Sequence, residues 1–204
     1  MISRVEPTES YFSIGWRIGT RCNYDCMYCP TAWHDADSKQ HSLQKLQDAW
    51  CSLVEKTSHH GLPYKILFTG GEVTVNKNFL PFVSWLRQHY NHQLFRLIVT
   101  SNGSASLGYY IKMFNSVDNI TFSVHSEHLN EKDFFKKIIS LKSALPSNKF
   151  MHVGIMDEYW NQTRIKKYQE ILEQHSISHS VNQIDYSLQS RIRPIIKGKL
   201  DLEI

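Results

Sequence analysis

The chain has 204 residues, 41 % of them hydrophobic, and a formal net charge of +4. This length fits one α/β domain, and the apolar fraction can supply a core without disulfide bonds. The first residues lack the apolar run of a secretory signal, and no segment is apolar enough over its length to span a bilayer. We therefore expect a cytoplasmic protein, with neither a membrane nor a nucleic-acid partner.

The first half of the chain alternates between apolar runs and segments of helical period. Residues 11–18 predict a strand that ends just before three cysteines. Ser42 is placed to cap a first helix. Residues 64–71 predict a second strand halted by two glycines, and a helix beginning near Phe79 follows. Residues 94–103 predict a third strand that ends in turn residues.

The second half continues the alternation. A third helix leads to a predicted strand at 119–125, and Asn130 is placed to cap a fourth helix. Residues 150–156 predict a fifth strand, which a fifth helix separates from a weaker sixth strand at 176–184. Such alternation indicates parallel βαβ units, and six of them favour a partial (β/α)6 barrel over a sandwich.

We expect residues 1–204 to form a single domain of this α/β class. A short lead (1–10) precedes the first predicted strand, and a basic tail (about 187–204) follows the last. The cations of the tail are spaced along it, which is more typical of a solvated chain end than of a binding arm.

Unusual residues follow the carboxyl ends of the predicted strands. The cysteines follow the first strand, and the sequences TGGE, TSNG and SVHSEH end or follow the next three. In parallel β/α folds the loops at this edge build the active site. We therefore predict one composite site at this edge.

Three of the four cysteines, Cys22, Cys26 and Cys29, have the spacing C-x3-C-x2-C. A [4Fe–4S] cluster usually takes four cysteine ligands, so three would leave one iron open to another ligand. The alternative is a zinc site completed by His34 or Cys51. If Cys51 is not a ligand, we interpret it as a small apolar residue that fills space on the buried side of the first helix.

These motifs resemble those of the radical SAM enzymes. The family pattern C-x3-C-x-φ-C, with φ aromatic, is matched here with Tyr28 at the aromatic position. The family's Gly-Gly-Glu motif is matched by Gly70, Gly71 and Glu72 after the second strand, although Val73 stands where many members have proline. The resemblance covers about residues 12–185. It implies the radical SAM core fold, a [4Fe–4S] cluster on the three cysteines, and S-adenosylmethionine at the open iron.

The second motif offers acceptors for the methionine ammonium, because glycines permit close backbone approach and Glu72 adds a carboxylate. The resemblance further implies that Ser101, Asn102 and Ser123 contact the methionine carboxylate or the ribose. It also implies that Gly154 lets the adenine approach the backbone.

His125 lies two residues beyond Ser123, so both should face the same side of their strand. We expect His125, with His34 and Asp157, at a catalytic substrate pocket. The resemblance implies reductive cleavage of S-adenosylmethionine and hydrogen abstraction from a small metabolite or a peptide side chain, with electrons from a protein such as flavodoxin or ferredoxin. Alternatives are an activase that installs a glycyl radical on a partner enzyme and a zinc-stabilised binding module without catalysis.

Overall fold

The computed structural model describes residues 2–8, 10–30, 32–33 and 35–185. Within these ranges one seven-stranded sheet has its strands in chain order: β1 (Ile2–Pro7), β2 (Phe12–Arg17), β3 (Tyr64–Thr69), β4 (Leu94–Ser101), β5 (Asn119–Val124), β6 (Phe150–Asp157) and β7 (Ser178–Gln183). Strands β2 to β7 are parallel, whereas β1 pairs antiparallel with β2. The predicted six parallel strands are confirmed, and the sheet is compatible with a partial barrel.

Five α-helices connect the parallel strands: α1 (Leu43–Thr57), α2 (Phe79–Tyr90), α3 (Leu107–Phe114), α4 (Glu131–Ala144) and α5 (Gln162–Gln174). The predicted caps are present. Ser42 Oγ accepts from Lys45 N–H at 3.2 Å, and Asn130 Oδ1 accepts from Asp133 N–H at 3.3 Å. Each cap satisfies one backbone donor that the first helical turn leaves unpaired. No helix in the described part of the chain is long and apolar enough to cross a membrane.

The helices bury one face of the sheet. Along β2, Phe12, Ile14 and Trp16 alternate with half-buried residues, and Trp16 packs against Trp50 of α1 with 6.4 Å between ring centroids. Burying such a side chain stabilises the fold by roughly 1.5–3 kcal/mol. The other face carries smaller and more polar residues, such as Thr121 of β5, that are only half-buried. This alternation leaves one face of the parallel sheet available to build a site at its edge.

Strand β1 was not predicted, because residues 1–10 were interpreted as a lead. Only Ile2 and Val5 are aliphatic in this strand, and most of its residues are exposed, so it has little hydrophobic period. Its pairing with β2, with Val5 opposite Ile14, depends on the neighbouring strand rather than on its own sequence. The predicted basic tail lies outside the described residues.

Candidate functional site

A cavity of about 460 Å³ lies at the carboxyl ends of the parallel strands. It is lined by most of the predicted site residues: Cys22, Cys26, Tyr28, Cys29, Gly70, Gly71, Glu72, Ser101, Asn102, Ser123 and His125. These residues are distant in sequence and meet because parallel strands direct their following loops to the same edge of the sheet.

The cysteine loop (residues 20–30) places three thiols on this cavity. Cys26 is buried, and Cys22 and Cys29 are half-buried. The loop is held at its start by Cys22 N–H, which donates to Asp35 O at 2.8 Å. Cys29 N–H donates to Cys26 O at 3.0 Å and closes a turn that brings these two cysteines onto one side. The local hydrogen bonds thus arrange all three thiols around a common space.

Burial raises the pKa of the Cys22 and Cys26 thiols above the ordinary value. Nearby carboxylates act in the same direction: Glu72 on Cys22, and Glu127 on Cys26. A cation held among the sulfurs would favour the thiolates instead. A positively charged group bound there would therefore lower the pKa of these thiols.

The two glycines after β3 pack directly against the backbone that follows β2. Gly71 N–H donates to Gly19 O, and Glu72 N–H donates to Arg21 O, both at 2.9 Å. A Cβ built on Gly70 would lie 2.5 Å from Gly19 O, and one on Gly71 would collide with Arg21 O. Only glycine permits this approach. The motif therefore holds Glu72 against the start of the cysteine loop.

The Glu72 carboxylate is only 4 % exposed and is held by the chain's own donors. Its Oε1 accepts from Thr74 N–H at 2.9 Å, Thr74 Oγ1 at 2.6 Å and Ser101 Oγ at 2.8 Å, and its Oε2 accepts from Asn102 N–H at 2.6 Å. Burial raises the pKa of Glu72, and these hydrogen bonds oppose the rise. Among the described contacts Oε1 accepts three hydrogen bonds and Oε2 only one, so Oε2 is the oxygen better able to accept another from a ligand in the cavity.

Ser101 and Asn102 were predicted as direct cofactor contacts, and in the structure their polar groups hold other site residues. The Ser101 hydroxyl donates to Glu72 and lies 2.8 Å from the Tyr110 hydroxyl. Asn102 Nδ2 donates to Asn23 Oδ1 in the cysteine loop at 3.0 Å. Both residues line the cavity, and their hydrogen bonds connect its carboxylate to its cysteine loop.

Ser123 and His125, at the end of β5, both line the cavity, as their spacing predicts. His125 Nδ1 contacts the hydroxyl of Tyr28, and the two rings stack with 5.8 Å between centroids. Burial lowers the pKa of His125 to about 4, and His128 acts in the same direction. Burial also raises the pKa of Tyr28. At neutral pH the pair is therefore uncharged.

A buried carboxylate anchors the loop that follows His125. Glu158 is fully buried and accepts from Ser126 N–H at 2.9 Å and from Asn161 Nδ2 at 3.2 Å. Burial raises its pKa, and these donors act in the opposite direction. Glu158 thus fixes the path of the chain between His125 and α4.

Two predicted site residues within the described part of the chain, Gly154 and Asp157, are not among those that line the cavity. A Cβ built on Gly154 would collide with Asn182 Nδ2 of β7, so the glycine accommodates this neighbour. Asp157, at the end of β6, accepts from Gln162 Nε2 at 2.6 Å. His34 lies outside the described residues, and its role stays a prediction.

Cys51 is exposed on α1, with its Sγ atom 3.4 Å from the Tyr90 hydroxyl. The interpretation as a buried apolar filler is therefore wrong. Helical period places position 51 next to the buried face of α1, but the buried side chains of that face are Leu46 and Trp50. Cys51 does not line the cavity that holds the other cysteines.

Several cavity residues were not predicted: Tyr24, Pro30, Trp33, Thr69, Thr100, Met156, Gln183, Ile184 and Asp185. The last three end or follow β7 at the same sheet edge as the other motifs. Their position at the carboxyl end of a strand could have identified them as site residues. The polar sequence of β7, however, predicts only a weak strand, so the residues after it were not predicted to belong to the site.

No protein-family model matches the chain, whereas comparison with curated proteins and with solved structures finds similarities. A segment of 93 residues, 46 % of the chain, is 31 % identical to GTP 3',8-cyclase of Pasteurella multocida (strain Pm70), and it spans 26 % of the length of that relative. The crystal structure of BtrN in complex with AdoMet and 2-DOIA aligns with a TM-score of 0.46 and 17 % identity, over 72 % of this chain and 70 % of that chain.

Independently of this similarity, the chain carries the C-x3-C-x2-C and Gly-Gly-Glu motifs in the expected order. In the structure these motifs contact each other and line a single cavity at the carboxyl ends of parallel strands. The chain spans only about a quarter of the length of the cyclase, so the similarity covers a part of that relative and not its whole length.

Proposed function

We propose that this chain is an enzyme that cleaves S-adenosylmethionine reductively and uses it to abstract hydrogen from a small metabolite or a peptide side chain. The observation that carries this proposal is the meeting of three thiols and the Glu72 carboxylate in one cavity. We further propose a cytoplasmic location, where thiols stay reduced, and an electron-donating protein such as flavodoxin or ferredoxin.

The donor set fits a [4Fe–4S] cluster on Cys22, Cys26 and Cys29. Within the described residues no three His, Cys, Asp or Glu side chains are grouped so as to hold one metal ion. A cluster does not require that convergence, because each thiolate binds a different iron. The position of Cys51 also supports the cluster over zinc, since this candidate fourth zinc ligand is exposed on α1 and does not line the cavity.

The cavity also fits S-adenosylmethionine. Its volume is within the range of small-molecule sites, roughly 300–1,000 Å³. Glu72 Oε2 offers an acceptor for an ammonium group, and a charged contact of this kind is worth about 1.5–3 kcal/mol. Tyr28, Met156 and Ile184 supply apolar wall for the uncharged parts of the ligand.

When bound, the cluster and S-adenosylmethionine would supply the electron transfer, sulfonium cleavage and hydrogen abstraction. The chain's own residues bind these groups and orient the ligand and the substrate. Glu72 fixes the ammonium end of the ligand, and Ser101 with Asn102 fixes Glu72. His125, uncharged and paired with Tyr28, offers a neutral surface to the substrate. The surrounding walls limit the access of water to the reacting groups.

The test is anaerobic reconstitution with iron and sulfide, followed by reduction in the presence of S-adenosylmethionine. We expect about four irons per chain and slow release of 5'-deoxyadenosine without added substrate. Replacing Cys22, Cys26 or Cys29 by Ala should abolish both signals. Cys51→Ala is the matched control and should retain them. Wild-type protein that binds iron but releases no 5'-deoxyadenosine would contradict the proposal, and zinc binding in place of iron would favour the non-catalytic module.

A further inference from the structure

A carboxylate from the loop after β5 contacts the cysteine loop from outside the cavity. Glu127 Oε2 accepts from Met27 N–H at 3.0 Å, and its Oε1 lies 3.3 Å from the same nitrogen. The Glu127 side chain is only 13 % exposed. Glu127 does not line the cavity, so its effect on a bound group would pass through the cysteine loop.

The position of Met27 in the sequence connects this contact to the cysteines. Met27 lies between Cys26 and Cys29, so the carboxylate binds the backbone between two of the three cysteines that hold the cluster under the proposed function. Glu127 is also the principal charge acting on Cys26, and it adds to burial in raising the pKa of that thiol. The negative charge of Glu127 therefore reaches the sulfur electrostatically.

Within the described residues, His128 contacts both Glu127 and the cysteine loop. Its Nε2 lies 3.8 Å from Glu127 Oε2. Its ring stacks on Tyr24 of the cysteine loop, with 4.9 Å between centroids. The loop after β5 thus contacts the cysteine loop in two ways, through the hydrogen bond from Met27 N–H to the Glu127 carboxylate and through the stacking of His128 on Tyr24.

Two physical effects of this carboxylate act in the same direction. The reduction potential of an iron–sulfur cluster depends on the charge around it and on hydrogen bonds to its sulfurs. A nearby anion disfavours the added electron. In addition, Glu127 engages the Met27 N–H, which then cannot donate fully to a sulfur. Both effects make the cluster harder to reduce.

We propose that Glu127 is a positioning residue that lowers the reduction potential of the cluster by binding the Met27 amide and placing a negative charge beside Cys26. This inference depends on the proposed function, since it requires the cluster. Its consequence is that the bound cluster stays oxidised until a strongly reducing partner delivers the electron.

The experiment is a redox titration of the reconstituted protein, with the reduced cluster followed by electron paramagnetic resonance. Glu127→Gln removes the charge but keeps an oxygen that can accept from Met27 N–H. Glu127→Ala removes both. Glu170→Gln removes one negative charge from an exposed position of α5 and is the matched control.

We expect the potential to become less negative in Glu127→Gln, so that the ratio of reduced to oxidised cluster at fixed potential rises roughly tenfold, or ~59 mV for one electron. Glu127→Ala should shift it at least as far, and Glu170→Gln should match wild type. A wild-type potential in Glu127→Gln would overturn the inference, as would loss of the cluster in both Glu127 variants, which would make Glu127 necessary for cluster retention instead. Failure of the wild type to bind a cluster would contradict the proposed function itself.

Discussion

Tyr28 and His125 join the cysteine loop to the end of β5. The Tyr28 hydroxyl contacts His125 Nδ1, and their rings are nearly parallel, with an interplanar angle of 17°. Tyr28 occupies the aromatic position of the cysteine motif, and His125 was predicted from the sequence as a substrate contact. The structure therefore connects a motif residue of the cysteine loop directly to one of the residues predicted at the substrate pocket.

We expect His125→Ala to separate cofactor cleavage from substrate chemistry. The variant should retain slow release of 5'-deoxyadenosine but lose product formation and any acceleration by substrate. Tyr28→Phe removes the hydroxyl that contacts His125 and leaves the imidazole in place, so it tests whether product formation depends on this contact. Anaerobic product analysis by chromatography checks both variants. If His125→Ala weakens S-adenosylmethionine binding as much as loss of the Glu72 charge does, His125 is a cofactor contact and the substrate assignment is wrong.

Glu72→Gln should weaken S-adenosylmethionine binding by about tenfold or more, because it removes the charge that we propose binds the ammonium. The iron content should stay normal. An amide nitrogen cannot accept from Asn102 N–H or Ser101 Oγ, so the free energy of unfolding should also fall by about 1–3 kcal/mol. Calorimetry and thermal unfolding measure the two effects. Unchanged affinity would contradict the placement of Glu72 at the cofactor.

Gly71→Ala should disrupt the turn that positions Glu72, because its Cβ would collide with backbone carbonyl oxygens that cannot move independently of the chain. We expect a loss of at least about 1–3 kcal/mol in the free energy of unfolding. Gly108→Ala in α3 is the control. Open space surrounds Gly108, and alanine favours a helix over glycine by about 0.5–1 kcal/mol, so that variant should be neutral or more stable. Denaturant titration compares them, and equal stabilities would contradict the close approach.

The low pKa of His125 predicts a stability that depends on pH. Burial lowers the pKa from 6.5 to about 4, so between these values the unfolded chain binds the proton more readily than the folded chain. The stabilising contribution is complete above pH 6.5 and is lost as the pH falls toward 4. His125→Gln removes this titration, and the fall in its unfolding midpoint over the same interval should be smaller. Equal slopes for variant and wild type would contradict the lowered pKa of His125.

Local sequence signals predicted most of the fold. The six parallel strands carry their own apolar runs, and helix caps such as Ser42 act within a single turn, so neither requires knowledge of distant residues. The meeting of the cysteines with Gly-Gly-Glu could also be predicted, because parallel strands direct successive loops to one edge.

Contacts between strands were harder to predict. The glycine at position 154 accommodates Asn182, a neighbour fixed by the register of β6 and β7. Ser101 bonds to Glu72, which lies 29 positions away on another loop. Such partners depend on which atoms the folded sheet brings together, and no local period in the sequence encodes them.

The antiparallel strand β1 has a consequence for association with other chains. An open sheet exposes unpaired backbone groups at its edge, and these can pair with a strand of another molecule. β1 pairs with the free edge of β2, whose alternate residues are apolar and buried. The edge of the sheet is therefore β1 itself, which carries an ion pair between Arg4 and Glu6, with 2.6 Å between Nη2 and Oε2. Pro7, which has no backbone N–H, ends the strand. The short, charged segment thus protects β2 from intermolecular strand addition and favours a sheet that ends within its own chain.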